Sequence, residues 1–161
     1  MPRRIERDVA VARAVAERPE GSCLVCAILA GDAGPTWVLH EGEHVRVVLS
    51  RYPRNWGQAM ILLRRHVTGF TDLEPREWAE ASEAAYYVAS RMELVLQPVR
   101  CFVSCLGTAH ADLPMSSPHM HLHVDPVYDL DQRPRTTFTL EFGVVEGEPD
   151  EWEALRASLA W

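Results

Sequence analysis

The spacing of apolar positions changes several times along the chain, and each change predicts an element. In residues 4–17, rich in Ala and Arg, Ile5, Val9, Ala12 and Ala16 recur at helical spacing, predicting a short helix that ends near Pro19 and Gly21. CLVCAILAG (23–31) is apolar but short, bounded by Gly21 and Gly31, and fits either one helical turn or an extended piece. TWVLHEGEHVRVVLS (36–50) reads as two strands around a tight turn at Glu41-Gly42-Glu43, and RYPRNWG (51–57) as a loop. QAMILLRRH (58–66) is apolar enough for a central strand. From Glu74 to Gln97 a long helix follows, with Trp78, Ala81, Ala85, Val88, Met92 and Leu96 in the 3.6-residue period; Thr71 or Asp72 can cap it and Pro98 stops it. Residues 99–107 form a strand, 108–115 a loop, the histidine-rich segment a further strand, 136–144 another, and 150–160 a closing helix.

This order predicts an α+β architecture: a mostly antiparallel five-stranded sheet, one long helix, and additional helices at both ends. Residues 1–20 are read as an N-terminal helical extension and residues 21–161 as a single domain. A chain of 161 residues can bury one good core but is short for two ordinary domains.

Composition narrows the function. Apolar residues make up 47% and charged residues 24%, the profile of a globular domain. No apolar run is long enough to span a bilayer, and the charged N-terminus has no signal-peptide core, so a cytoplasmic protein with no membrane partner is expected. Its four cysteines would then be reduced, and a close pair points to metal or redox chemistry rather than a disulfide. The net charge is −7, with 23 acidic against 16 basic residues, which argues against a nucleic-acid partner but leaves room for a small phosphorylated ligand.

The candidate chemistry lies in SSPHMHLHVDP (116–126). On a strand, His119, His121 and His123 share one face, with Met120, Leu122 and Val124 on the other, a core face. A merely wet face would be served equally by Thr, Lys or Glu, so chance placement of three histidines is the weaker reading. Three metal ligands along one straight strand would span too far to converge easily on one ion. The third reading gives each histidine a different task.

The run His-Met-His-Leu-His-Val after Ser-Ser-Pro resembles the signature of the histidine triad (HIT) family of nucleotide hydrolases and transferases. The resemblance extends through CLVCAILAGDAG and VVLSRYPRNWGQAMILLRRHVTGFTDL, so that it covers residues 23 to about 126 in three ordered blocks. It implies a HIT-like fold, a homodimer, and a nucleotide substrate. His121 would be the nucleophile that attacks the α-phosphorus, forming a nucleotidyl-histidine that water or another acceptor resolves. His123 and Ser116 would contact phosphate oxygens or the leaving group; Ser116 is equally well explained as a turn cap before Pro118. Leu24, Val25, Ile28 and Val48 would hold the base and sugar, with Ser50 at the position that meets the ribose; the apolar four also fit plain core.

Cys23 and Cys26 have the Cys-x-x-Cys spacing of a shared metal ion, with a redox pair as the competing reading. In the family's zinc-bearing members the remaining ligands correspond to His66 and His119, which implies a structural Cys₂His₂ zinc site. Cys101 and Cys105 are read as core, and His40, His44 and His110 as exposed. The chain departs from the family pattern at Ser50, where a carboxylate or Asn is usual, at Pro114-Met115, where Gly-Gln is usual, in the length of the loop before it, and at Asp125, where an apolar residue is usual. These changes spare the nucleophile and the zinc ligands and fall on sugar and leaving-group recognition. A third triad residue that is His rather than Gln favours hydrolysis. The expected activity is hydrolysis of a nucleoside phosphoramidate or dinucleoside polyphosphate. The alternatives are a nucleotidyltransferase or phosphorylase using the same intermediate, and a nucleotide-binding protein that has lost turnover.

Overall fold

A computed structural model describes residues 2–106 and 117–161. Its centre is a five-stranded antiparallel sheet of β2 (Val38–Glu41), β3 (Val45–Leu49), β4 (Ala59–Leu63), β5 (Arg100–Ser104) and β6 (His121–Val127), in the order β2-β3-β4-β6-β5. The long helix α3 (Pro75–Leu96) covers one face and the short helix α2 (Leu24–Ala30) sits on the other. Helix α1 (Arg7–Ala16) comes before α2. After the sheet come a single turn α4 (Pro134–Thr137), strand β7 (Val144–Glu146) and helix α5 (Pro149–Leu159).

Burial on both faces explains why AMILL shows no polar alternation. Ala59, Ile61 and Leu63 pack with Val88 and Met92 of α3, while Leu62 and Met60 meet Val25, Ile28 and Val48 on the opposite face. Each fully buried Ile or Leu contributes about 1.5–3 kcal/mol. Trp152 of α5 closes the core edge, stacked on Trp37 with centroids 4.6 Å apart and against Trp56 at 4.4 Å.

Four local expectations are corrected. Helix α3 is capped by Glu74 rather than Thr71 or Asp72: Pro75 fixes the first helical φ, and the Glu74 backbone N–H donates to the Glu77 carboxylate at 2.9 Å in a capping box. Residues 136–144 do not form one strand. The Thr136 and Thr137 hydroxyls donate to the Arg133 carbonyl at 2.9 and 3.0 Å, a local alternative to a sheet ladder, and only Val144–Glu146 pairs. The first helix begins at Arg7, because Arg3–Ile5 form a strand, β1, antiparallel to β7. His119 precedes β6 instead of lying within it.

Candidate active site and metal centre

Strand β6 sets the chemistry through its alternation. Leu122 and Val124 are buried under α3, so His121, His123 and Asp125 face the other side of the sheet, where the two histidines line a cleft of about 370 Å³. Leu24, Val25, Ile28 and Val48 line this cleft together with Ser50, so all five predicted base and sugar residues are brought to the two histidines. Val48, Met60 and His123 stand side by side across β3, β4 and β6. The cleft is also lined by Arg7, Val11 and Ala14 around helix α1, by Gln58 and Arg54, and by Phe138 and Leu140, none of which the sequence patterns singled out. An ion pair between Arg51 and Glu17 at 2.5 Å, with the Tyr52 hydroxyl donating to Glu17 at 2.9 Å, ties the 51–57 loop to the end of α1. Ser116 and His110 lie outside the described residues; the neighbouring Ser117 is buried, with its hydroxyl 3.1 Å from Cys23 Sγ.

The hydrogen bonds assign one tautomer to each triad histidine. His119 Nε2 lies 2.7 Å from the Leu63 carbonyl, which can only accept, so Nε2 carries the proton and Nδ1 keeps its lone pair. By the same logic His121 Nδ1–H donates to the His119 carbonyl at 2.7 Å, leaving Nε2 as the free base. His121 Nε2 then accepts from His123 Nε2–H at 3.1 Å, and His123 Nδ1 accepts from the Gln58 amide at 3.3 Å. Burial, with the positive charge of Arg54 adding to it, lowers the His121 pKa; burial also takes His123 well below its ordinary value. Both rings are therefore neutral at pH 7, and His121 presents an unprotonated nitrogen to the cleft. Gln58 follows Gly57, whose φ of +93° turns the chain where a Cβ would meet Leu96 at 2.5 Å.

Beyond His123, Asp125 is fully buried and takes an ion pair from Arg54 Nη2 at 3.3 Å. Burial outweighs that partner and raises the carboxyl to about 6. The apolar residue expected here is thus replaced by a paired charge.

His119 turns away from the row toward α2. One ligand atom each from Cys23, Cys26, His66 and His119 can be chosen so that all lie within 4.8 Å of one another. Cys26 Sγ is 3.2 Å from His66 Nδ1 and 3.4 Å from His119 Nδ1, and Cys23 Sγ is 3.7 Å from His119 Nδ1. Tetrahedral zinc with bonds of ~2.3 Å to sulfur and ~2.0–2.1 Å to nitrogen would hold such atoms ~3.5 Å apart, so the cluster fits that ion. The lone pair of His119 Nδ1 points inward because the Leu63 carbonyl holds the opposite proton. Burial and the adjacent Cys23 push the Cys26 thiol up to about 11, a cost that a bound dication reverses. The two cysteines therefore converge with imidazoles, as a metal site requires. Cys101 and Cys105 pack against the core. His40 and His44 are only partly exposed, His40 stacking on Trp161 at 4.9 Å.

Comparison with known proteins identifies the family and the fold. The chain is 26% identical over 109 residues to an uncharacterised HIT-like protein of Mycoplasma genitalium, covering 67% of this chain and 74% of that one. It superposes on a zinc-bound histidine triad family protein of Mycobacterium smegmatis with a TM-score of 0.65 and 26% identity, over 86% of this chain and 93% of that one. A hypothetical histidine triad nucleotide-binding protein of Sulfolobus tokodaii shares the fold at a TM-score of 0.66 and 18% identity, over 85% and 89% of the two chains. The HIT domain family model matches residues 33–129, more than half the chain, and the protein belongs to the HIT family.

Proposed function

We propose that this protein hydrolyses a nucleoside phosphoramidate or dinucleoside polyphosphate through a covalent nucleotidyl-His121 intermediate. HIT-family membership supports a nucleotide hydrolase or transferase role. The observation that carries the finer reading is the unprotonated Nε2 of His121, held toward the cleft by the bond from Nδ1–H to the His119 carbonyl. That lone pair forms the new bond to the α-phosphorus while the bond to the leaving group breaks and its electrons depart with that group. A polyphosphate leaves as the anion, and an amine takes up a proton from solvent, which the attacking water later restores. The Nε2–H of His123, released from His121, donates to the phosphate oxygens. Water then attacks phosphorus, the Nε2–P bond breaks, and His121 returns to its starting form. Leu24, Val25, Ile28 and Val48 would receive the base and sugar, Ser50 a ribose hydroxyl, and Ser116 the phosphate or leaving group.

Cys23, Cys26, His66 and His119 would hold a structural zinc. When bound, it would cross-link α2, the segment after β4 and the entry to β6, a structural rather than a chemical contribution. A homodimer belongs to the same reading: β5 is an edge strand, with Val99, Val103 and Leu106 exposed along it. Among the described residues no helix is long and apolar enough to cross a membrane, and the four free cysteines suit the reducing cytoplasm.

The test is intact-mass spectrometry of wild type and His121→Ala after brief incubation with phosphoramidates and dinucleoside polyphosphates of several bases, quenched in alkali, with product followed in the same samples. A nucleotidyl adduct on wild type that is missing from the variant is the expected result. Neither adduct nor product across the panel would defeat the hydrolase reading.

A further inference from the structure

The transfer chemistry leaves the buried Asp125–Arg54 pair, whose arginine lines the cleft, without a task. Asp125 follows His123 by two residues on the same face, roughly 6.5–7 Å further along the strand. Arg54 reaches it through Nη2 alone, 3.3 and 3.5 Å from the two carboxylate oxygens. The Arg54 side chain is only 10% exposed, and its buried Nε has no hydrogen-bond partner among the described residues. Buried guanidinium donors ordinarily find acceptors, so an unmatched one lining a ligand cleft points to an acceptor that arrives with the ligand.

The position of this guanidinium says which part of the ligand it meets. The apolar wall proposed for the nucleoside comes from α2 and β3. In the sheet, β3 lies on one side of β6 and β5 on the other. Phe102 of β5 pairs with Asp125, and its ring lies 5.9 Å from that of Phe138, over which the Arg54 guanidinium sits at 5.9 Å. The guanidinium therefore lies at the Asp125 end of the histidine row, over Phe138, whereas the apolar wall of α2 and β3 lies on the β4 side of β6.

We infer that Arg54, held in place by Asp125, recognises a phosphate in the leaving group, making it a residue that selects dinucleoside polyphosphates over phosphoramidates. The inference rests on the hydrolase reading above. A phosphate offers several acceptor oxygens to the N–H groups of one guanidinium, whereas the amine of a phosphoramidate offers a donor and no charge. Asp125 acts as a positioning residue: it keeps the guanidinium in the cleft when it would otherwise turn toward water.

Two measurements on the full chain test this. The first is the ratio of kcat/KM for diadenosine tetraphosphate to that for adenosine 5′-phosphoramidate, in wild type and Arg54→Gln. The second is calorimetric affinity for ADP against AMP and for GDP against GMP in the same proteins. A charge-assisted hydrogen bond is worth roughly a factor of 10 to 100. Wild type should therefore favour each diphosphate by at least about tenfold, and Arg54→Gln should lower both that preference and the substrate ratio by a similar factor. Equal losses on both members of each pair, or a wild type that does not distinguish them, would overturn the assignment. Should wild type give neither product nor a His121 adduct, the hydrolase reading fails by itself, and the diphosphate preference alone decides for or against Arg54. The double variant Arg54→Gln, Asp125→Asn leaves no unpaired buried charge and replaces the single one if that does not fold.

Discussion

Replacing Asp125 by Asn should make the protein more stable at neutral pH. The carboxyl is fully buried, and its one ion-pair partner among the described residues approaches through a single nitrogen at 3.3 Å. Burial raises its pKa from the ordinary 3.8 to about 6, with Arg54 opposing but not cancelling the rise. At 1.36 kcal/mol for each pH unit, keeping this group ionised at pH 7 costs the fold about 3 kcal/mol. The sign follows from proton uptake. Between 3.8 and about 6 the folded state binds more protons than the unfolded state, so the contribution of Asp125 to stability is fully present below 3.8 and lost as pH rises through about 6. Asn is isosteric, uncharged at every pH, and still offers an oxygen to Arg54. The variant should therefore gain about 3 kcal/mol at pH 7 and less than about 1 kcal/mol at pH 4. For a chain of this length 1 kcal/mol moves Tm by about 2–4 °C, so the rise at pH 7 is about 6–12 °C. Thermal denaturation of zinc-saturated wild type and variant across this pH range measures it. If the ion pair instead outweighs burial, Asp125→Asn will lower Tm at pH 7, and the account of this pair is refuted.

Metal removal and the tautomer chain give two further predictions. A chelator should lower the Tm of the zinc-loaded protein by about 8–16 °C, the equivalent of roughly 4 kcal/mol from an ion present at a thousand times its dissociation constant. Cys26→Ser should abolish that response, and a wild type indifferent to the chelator, with no metal by native mass spectrometry, would rule out the zinc site. Gln58→Leu removes the donor to His123 Nδ1 and the acceptor for the Arg54 backbone N–H at 3.0 Å. It should cost about 10- to 100-fold in kcat, the usual range for an orienting partner, and move the proton of His123 to Nδ1 in part of the population. An unchanged imidazole nitrogen spectrum would show that Gln58 does not set the tautomer.

Those parts of the fold and site that rest on short-range periodicity were legible in the chain. The alternation of Met120, Leu122 and Val124 with histidines told which face is core, the 3.6-residue spacing from Trp78 to Leu96 located the long helix, and Cys23-Leu-Val-Cys26 marked a pair of thiols able to reach one ion. What stayed hidden depends on contacts distant in sequence. Arg54 and Asp125 are 71 residues apart, and Gln58 and His123 are 65 apart, so nothing in their neighbours reveals the pairing. The cover that α1 and Phe138 give to the cleft is likewise tertiary. Residues 136–144 misled because Thr and Phe in alternation mimic a strand, while two Thr hydroxyls bond to the local backbone instead.

Alternate residues of one strand and its lead-in segment provide three different chemical environments. His119 turns off toward two thiols before the strand begins; His121 and His123 follow at strand spacing as neutral bases in a hydrogen-bonded pair; and Asp125 ends the row with a cation bound to it. A strand suits this because its rise sets the intervals between groups, while the buried residues on the other face stop it from sliding. Polar groups buried on the cleft side cost stability, and an ionised carboxylate such as Asp125 costs more than a neutral imidazole. An apolar residue there would leave the buried Arg54 guanidinium without its partner, whereas an Asn would still offer it an oxygen. The charge therefore gives the fold nothing that an Asn would not. What the charge does provide is a guanidinium held at the cleft with donors to spare, beside the histidine pair. A local loss of stability that positions a charged donor beside a reactive group is the pattern expected where function, rather than folding, sets the residue.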